Sequence, residues 1–194
     1  ADAVKIGGGM GKLERGGKTS GMASSAEGAH YWMQWAGADS TVTRGWDTDY
    51  TNDFASRGKW TAMMTEQKGI PFDLAFAFHT DAGAAQADST IGTLAIYTLR
   101  CDGEREFSDG RDRIISRLLC DYVQSQVVND IRSDFNPDWA RRGLWDKSYS
   151  ECRTPGIPAM ILELLSHQNF ADMKYGLDPA FRFDVCRAVY KGIL

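Results

Sequence analysis

The chain has 194 residues, 43% of them hydrophobic and 25% charged, an ordinary globular composition at a length that fits one domain over residues 1–194. A net charge of −4 leaves no basic footprint for nucleic acid or anionic lipid. No apolar stretch approaches the roughly 20 residues that cross a bilayer, and the opening ADAVKIGGGMG does not read as a signal peptide.

In chain order, residues 3–8 read as a first strand that ends in the loop GGGMG, and residues 25–36 as a helix closed by Gly37. Residues 40–43 read as a short strand, 52–64 as a helix, and 72–79 and 92–99 as buried strands. The clearest helix spans 110–131, where Ile114, Ile115, Leu118, Leu119, Tyr122, Val123, Val127 and Ile131 recur at helical spacing. Residues 158–165 form the next buried strand, with Pro158 tolerable only at its start. A short helix follows over 170–175. Asp178 then caps a last helix that has Pro179 at its first position and turns Phe181, Val185, Ala188 and Val189 inward. Apolar strands separated by helices predict an α/β fold, a central mostly parallel sheet with helices on both faces.

The four cysteines, Cys101, Cys120, Cys152 and Cys186, show no CxxC or CxxH pairing, which excludes a structural zinc knuckle. Cys120 and Cys186 fall on apolar stripes, so reduced thiols are expected. The GGGMG loop is not followed by a GKT or GKS at Walker spacing, and no serine stands on a G-x-S-x-G elbow. Nucleotide binding and acyl transfer through a serine triad are thereby set aside.

Two residues stand out against their surroundings. His79 ends the nearly continuous apolar run PFDLAFAFH, and in parallel sheets the functional crevice lies at the carboxyl ends of strands. Glu163 lies inside PAMILELLS, where a carboxylate costs several kcal/mol unless paired, metal-bound or protonated. Glu163 reads either as a glutamate satisfied by arginine or backbone donors, or as a general base with a raised pKa.

The stretch RGLWDKSYSECRTPGIPAMILELLSHQN resembles the corresponding part of the zinc-dependent N-acetylmuramoyl-L-alanine amidases. That family carries an R-G-(V/L), an aromatic, an L-R dipeptide and a P-A-V-L-V-E strand. Arg142, Gly143, Leu144, Tyr149, Arg153, Pro158, Ala159 and Glu163 fall on matching positions without gaps. FHTDAG resembles the family's S-x-H-(A/C)-(N/D)-A strand end. STVTR, FASRGKW and SRLLCDYVQSQVVNDI follow in the family's order.

The resemblance implies a zinc-amidase-like fold and hydrolysis of the amide joining muramic acid to L-alanine in peptidoglycan. It makes His79 and Glu27 metal ligands, Glu163 the base that activates water, and Arg153 a residue near that base. It also implies a place in the periplasm, at the cell surface or in the medium, with peptidoglycan or a wall-derived peptide or glycan as partner. One ligand is missing: the family's D-P-G-H-G-G is here Gly7, Gly8, Gly9, Met10, Gly11, and a thioether is a poor zinc ligand. His30, three residues after Glu27 on a helix, and His167, just after the Glu163 strand, are possible additional ligands. Each also reads as an ordinary histidine, His30 on a half-buried helix and His167 in a loop. Glu27 likewise reads as a solvated first-turn glutamate favoured by the helix dipole. Met10 keeps open two alternatives. One is an amidase-like domain that binds wall material without cleaving it, the other a hydrolase of a different amide or glycan on the same scaffold.

Overall fold

The computed structural model describes residue 26, residues 28–82 and residues 88–194. The chain divides into two compact units, Ala1–Phe72 and Asp73–Leu194. The strand expected over 3–8, the GGGMG loop, Met10 and Glu27 lie outside the described residues.

The described part of the first unit is helical: α1 (Ala29–Trp35), α2 (Ser40–Thr43) and α3 (Asp49–Glu66). Polar side chains set the helix starts. The Thr48 hydroxyl accepts from Thr51 N at 3.1 Å to cap α3. Residues 40–43, expected as a strand, are a helical turn instead. Asp39 accepts from Thr41 N through its side chain at 2.7 Å, and from Val42 N and Thr43 N through its carbonyl at 3.0 and 3.3 Å. That cap nucleates the turn and overrides the β preference of Thr41 and Val42.

The second unit carries the sheet. Its elements are β1 (Ala75–Asp81), β2 (Thr93–Tyr97), α4 (Ile114–Asp134), β3 (Arg141–Asp146), α5 (Ser150–Arg153), β4 (Ala159–Ser166), α6 (Phe170–Gly176) and α7 (Pro179–Ile193). The strand order is β1-β4-β2-β3, with β1/β4 and β2/β3 parallel and β2/β4 antiparallel. The expected mostly parallel sheet is therefore present, in an α/β fold. One strand escaped the sequence reading: β3, whose RRGLWD has two arginines, a glycine and no apolar alternation. Such a strand is legible only from its place at the rim of the described sheet. β1, expected as fully buried, is half-exposed at the opposite rim, with Phe78 on the surface.

One face of the sheet holds the larger core, in which Ala95, Tyr97, Met160 and Leu162 meet Cys120, Val123, Val127 and Val128 of α4. The buried face of α4 is rotated from the one read in the sequence: Leu118 and Tyr122 are exposed, while Ser116, Cys120 and Gln124 are buried. The cause is Gln124. Its Nε2 donates to the carbonyls of Thr93 at 2.8 Å and Arg142 at 2.9 Å, stapling β2 to β3. Buried carbonyls left unpaired would cost more than two exposed apolar side chains gain.

Helix α7 starts as expected, with Asp178 accepting from Ala180 N at 2.8 Å, and it packs on α4. Gly192 permits this approach, because a Cβ there would meet Val123 Cα at 2.7 Å. All four cysteines are free thiols, although Cys186 is exposed on α7 rather than buried in a stripe. Among the described residues, no helix is long and apolar enough to cross a membrane.

Candidate active site

The opposite face of the sheet is smaller and ends in polar groups. Leu94, Ile96 and Ile161 cluster there with Cys152 of α5 and with Ala77. In β4 every residue except Glu163 is buried. Parallel pairing places His79 of β1 opposite Glu163 of β4, two residues beyond the pair Ala77 and Ile161, and the antiparallel pairing places Leu94 on the other flank of Glu163. Because side chains alternate along a strand, His79 and Glu163 share the face of Ala77, Ile161 and Leu94. The sheet register alone brings together two residues 84 positions apart.

The short helix α5 supplies a third group. Cys152 is buried against this face, and its thiol donates to the Ile96 carbonyl at 3.3 Å. With Cys152 fixed, Glu151 one residue earlier reaches His79: His79 Nε2 and Glu151 Oε2 are 2.9 Å apart, with side chains 27% and 16% exposed. At the end of β1, Asp81 Oδ2 accepts from Arg142 Nη1 at 2.9 Å.

The electrostatics follow from this packing. Burial pushes the Glu163 carboxyl above its ordinary range. Among its neighbours, His79 and Arg142 pull it down, while Asp81 and Glu151 push it further up. Glu163 Oε2 is buried and, among the described residues, has no hydrogen-bond partner. A carboxylate in that state is a strong proton acceptor whose acid form is also within reach, which suits a general base that must later return its proton.

The loops around the site are held by a second carboxylate. Asp172 of α6, fully buried, accepts from Ser166 N at 2.8 Å and from Ile91 N at 2.9 Å, so it ties the end of β4 to the segment entering β2. Gly92 lies in that segment at φ +81°, and a Cβ there would stand 2.0 Å from the Ala140 carbonyl oxygen.

The remaining predicted residues lie as follows. His167 is exposed just past β4, its Nδ1 at 3.0 Å from the Thr80 hydroxyl and its N–H donating to the Asp81 carbonyl at 3.1 Å. Its ring is thus held by the residue next to His79. His30 belongs to the first unit. It is buried in α1, with Nε2 at 3.2 Å from Asp49 Oδ1 and its N–H donating to Asp53 Oδ1 at 3.3 Å. Arg153 closes α5 and acts on the Cys101 thiol; the guanidinium that acts on Glu163 is that of Arg142. Three site residues were not assigned from the sequence: Glu151, Asp81 and Arg142. All three stand inside the quoted motifs, but Glu151 sits there in the short polar segment SYSE, which has no period to betray it.

Zinc takes imidazole and carboxylate donors, and His79 with Glu151 and the unsatisfied Glu163 Oε2 are donors of that chemistry. Their chemistry is right for such an ion; their arrangement is a separate matter. Among the described residues, no group of three or more His, Cys, Asp and Glu side chains is arranged to hold a metal.

No protein-family model matches the chain, and no curated protein matches it. Solved structures do. The chain is similar to an N-acetylmuramoyl-L-alanine amidase from Clostridium difficile 630, with TM-score 0.53 and 17% identity over 70% of this chain and 62% of that one. It is similar to the CwlD amidase of Clostridioides difficile, solved in complex with the GerS lipoprotein, with TM-score 0.55 and 14% identity over 80% of this chain and 67% of that one. The catalytic domain of CwlV, an N-acetylmuramoyl-L-alanine amidase from Bacillus (Paenibacillus) polymyxa, gives TM-score 0.52 and 17% identity over 71% and 63% of the two chains. The match spans less than two thirds of the first and third of these solved chains. At these identities the likeness is one of architecture: the chain has the α/β fold of N-acetylmuramoyl-L-alanine amidases.

Proposed function

We propose that the protein hydrolyses the amide bond between N-acetylmuramic acid and L-alanine in peptidoglycan, outside the cytoplasm. The observation that carries this reading is Glu163, a half-buried carboxyl whose enclosed Oε2 has no hydrogen-bond partner among the described residues, paired with His79 of the adjacent strand on an amidase fold. Zinc held by His79 and a neighbouring carboxylate would supply a Lewis acid that polarises the scissile carbonyl and lowers the pKa of water. Glu163 takes the proton of the attacking water and returns it to the leaving amine of L-alanine. Burial favours the acid form it must pass through. Arg142, bound to Asp81, limits how far that rise goes.

Met10 favours a second reading, a domain that binds wall peptide or glycan without cleaving it, since it stands where the family carries its first ligand histidine. Purified peptidoglycan incubated with the protein separates the two. Cleavage releases stem peptides with a free L-alanine amino terminus and leaves an intact glycan strand. Co-sedimentation with peptidoglycan without new amino termini would overturn the hydrolase in favour of the binder. Cleavage at another amide or at a glycosidic bond would keep the scaffold and change the substrate.

A further inference from the structure

The strand that carries Glu163 leaves the regular ladder immediately after it. His79 pairs with Glu163, but Asp81 pairs with Ser166, so Leu164 and Leu165 together stand opposite Thr80 in a β-bulge. Strict alternation would turn Leu165 to the face of Glu163. The bulge turns it into the larger core beside Leu164, against Gly176 of α6, where a Cβ would meet Leu165 Cδ2 at 3.1 Å. Two side chains take up the backbone of the bulge. Thr93 Oγ1 donates to the Leu164 carbonyl at 2.8 Å, and Ser166 N donates to Asp172 Oδ2 at 2.8 Å. The Thr93 hydroxyl is fixed in turn by Trp139 Nε1 at 2.9 Å, and Thr93 and Trp139 are both fully buried. A second bulge lies at the same level: Leu94, which faces Glu163 on one side, stands opposite both Arg142 and Gly143 on the other. Thr93 adjoins this one too, since the Gln124 amide that binds its carbonyl also binds that of Arg142.

We propose that Thr93 is a positioning residue for Glu163: its hydroxyl holds the bulge that keeps Leu165 off the face of that carboxyl. This rests on the reading of Glu163 as the base. A regular β4 would set a leucine two positions along the same face, crowding the group that has to meet water. Bulges beside active sites re-aim side chains, and a buried threonine here meets the backbone cost of one. Without its hydroxyl, the Leu164 carbonyl and the Trp139 indole N–H lose a buried partner, and a return of β4 to alternation relieves the first of these.

The test uses the full chain as wild type, as Thr93→Val, which keeps the β-branched shape without the hydroxyl, and as Thr93→Ser, which keeps the hydroxyl. Methyl-labelled samples report the bulge through the nuclear Overhauser contact between the Leu165 methyls and the Gly176 α-protons. Stem-peptide release from soluble peptidoglycan fragments reports turnover, and thermal melts establish folding. In Thr93→Val the contact should be lost and kcat should fall at least about tenfold with KM within about threefold, as when a catalytic group is displaced and binding is kept. Thr93→Ser should restore the contact and bring kcat to within about threefold of wild type. A folded Thr93→Val that retains the contact overturns the proposal whatever its turnover. A lost contact with kcat within about threefold of wild type overturns it too, and leaves the bulge without a part in the chemistry. Should Thr93→Val fail to fold, Asp172→Asn, which loosens the same bulge at Ser166 N, is held to the same limits. Absence of cleavage by wild type refutes the amidase reading; the Leu165–Gly176 contact still decides whether Thr93 holds the bulge, because it needs no turnover.

Discussion

Replacing Glu163 with glutamine changes one atom at the centre of the site and keeps the side chain's shape. The amide cannot accept the proton of water, so turnover should fall about 10²- to 10⁴-fold, equivalent to roughly 2.7–5.4 kcal/mol on the barrier. Stability should move the other way. Burial raises the Glu163 carboxyl above its unfolded value, so its ionised form opposes folding above the folded pKa, and the penalty disappears as pH falls through that value toward about 4.3. Glutamine carries no such penalty. In excess chelator, Glu163→Gln should therefore melt at or above wild type at pH 7 to 8, with the difference closing near pH 4. The charged groups that act on Glu163 are His79, Asp81, Glu151 and Arg142. The assay is stem-peptide release from purified peptidoglycan beside melts of both proteins across pH. Unchanged release would remove Glu163 from the mechanism. A variant that melts well below wild type at neutral pH would show that the ionised carboxylate is satisfied in the fold, contradicting the unpartnered Oε2.

Gln124→Leu should destabilise the second unit by about 2–4 kcal/mol in urea titrations, because the Thr93 and Arg142 carbonyls lose a buried donor; a change under about 0.5 kcal/mol would show that other donors replace it. Native protein treated with iodoacetamide at pH 8 should label at Cys186 and not at Cys120 or Cys152, since burial pushes the Cys120 thiol up to about 12 and raises Cys152 as well. Labelling of Cys120 at the Cys186 rate, read by peptide mass mapping, would refute its burial. Met10→His should raise zinc affinity and Glu27→Gln should lower it in calorimetry, as expected of ligand positions; no change in either would detach both residues from the metal.

The sequence by itself determined the elements whose cause is local. Asp178 followed by Pro179 starts α7 in any context, and the apolar run of 158–165 must be a covered strand. The oddity of His79 and Glu163 was equally plain, because an imidazole and a carboxylate in apolar runs need an explanation before any neighbour is known. Tertiary structure decided what depends on partners distant in the chain. The rotation of α4 follows from two carbonyls that only the pairing of β2 with β3 brings under Gln124. RRGLWD becomes a strand because β2 offers it a ladder, not because its own residues ask for one. Glu151 is a site residue only because Cys152 is buried beneath Ile96, more than fifty positions earlier, which sets the preceding side chain against His79. Composition and period report how a segment meets water; they carry no information on which two segments meet each other, and this site is made by that second choice.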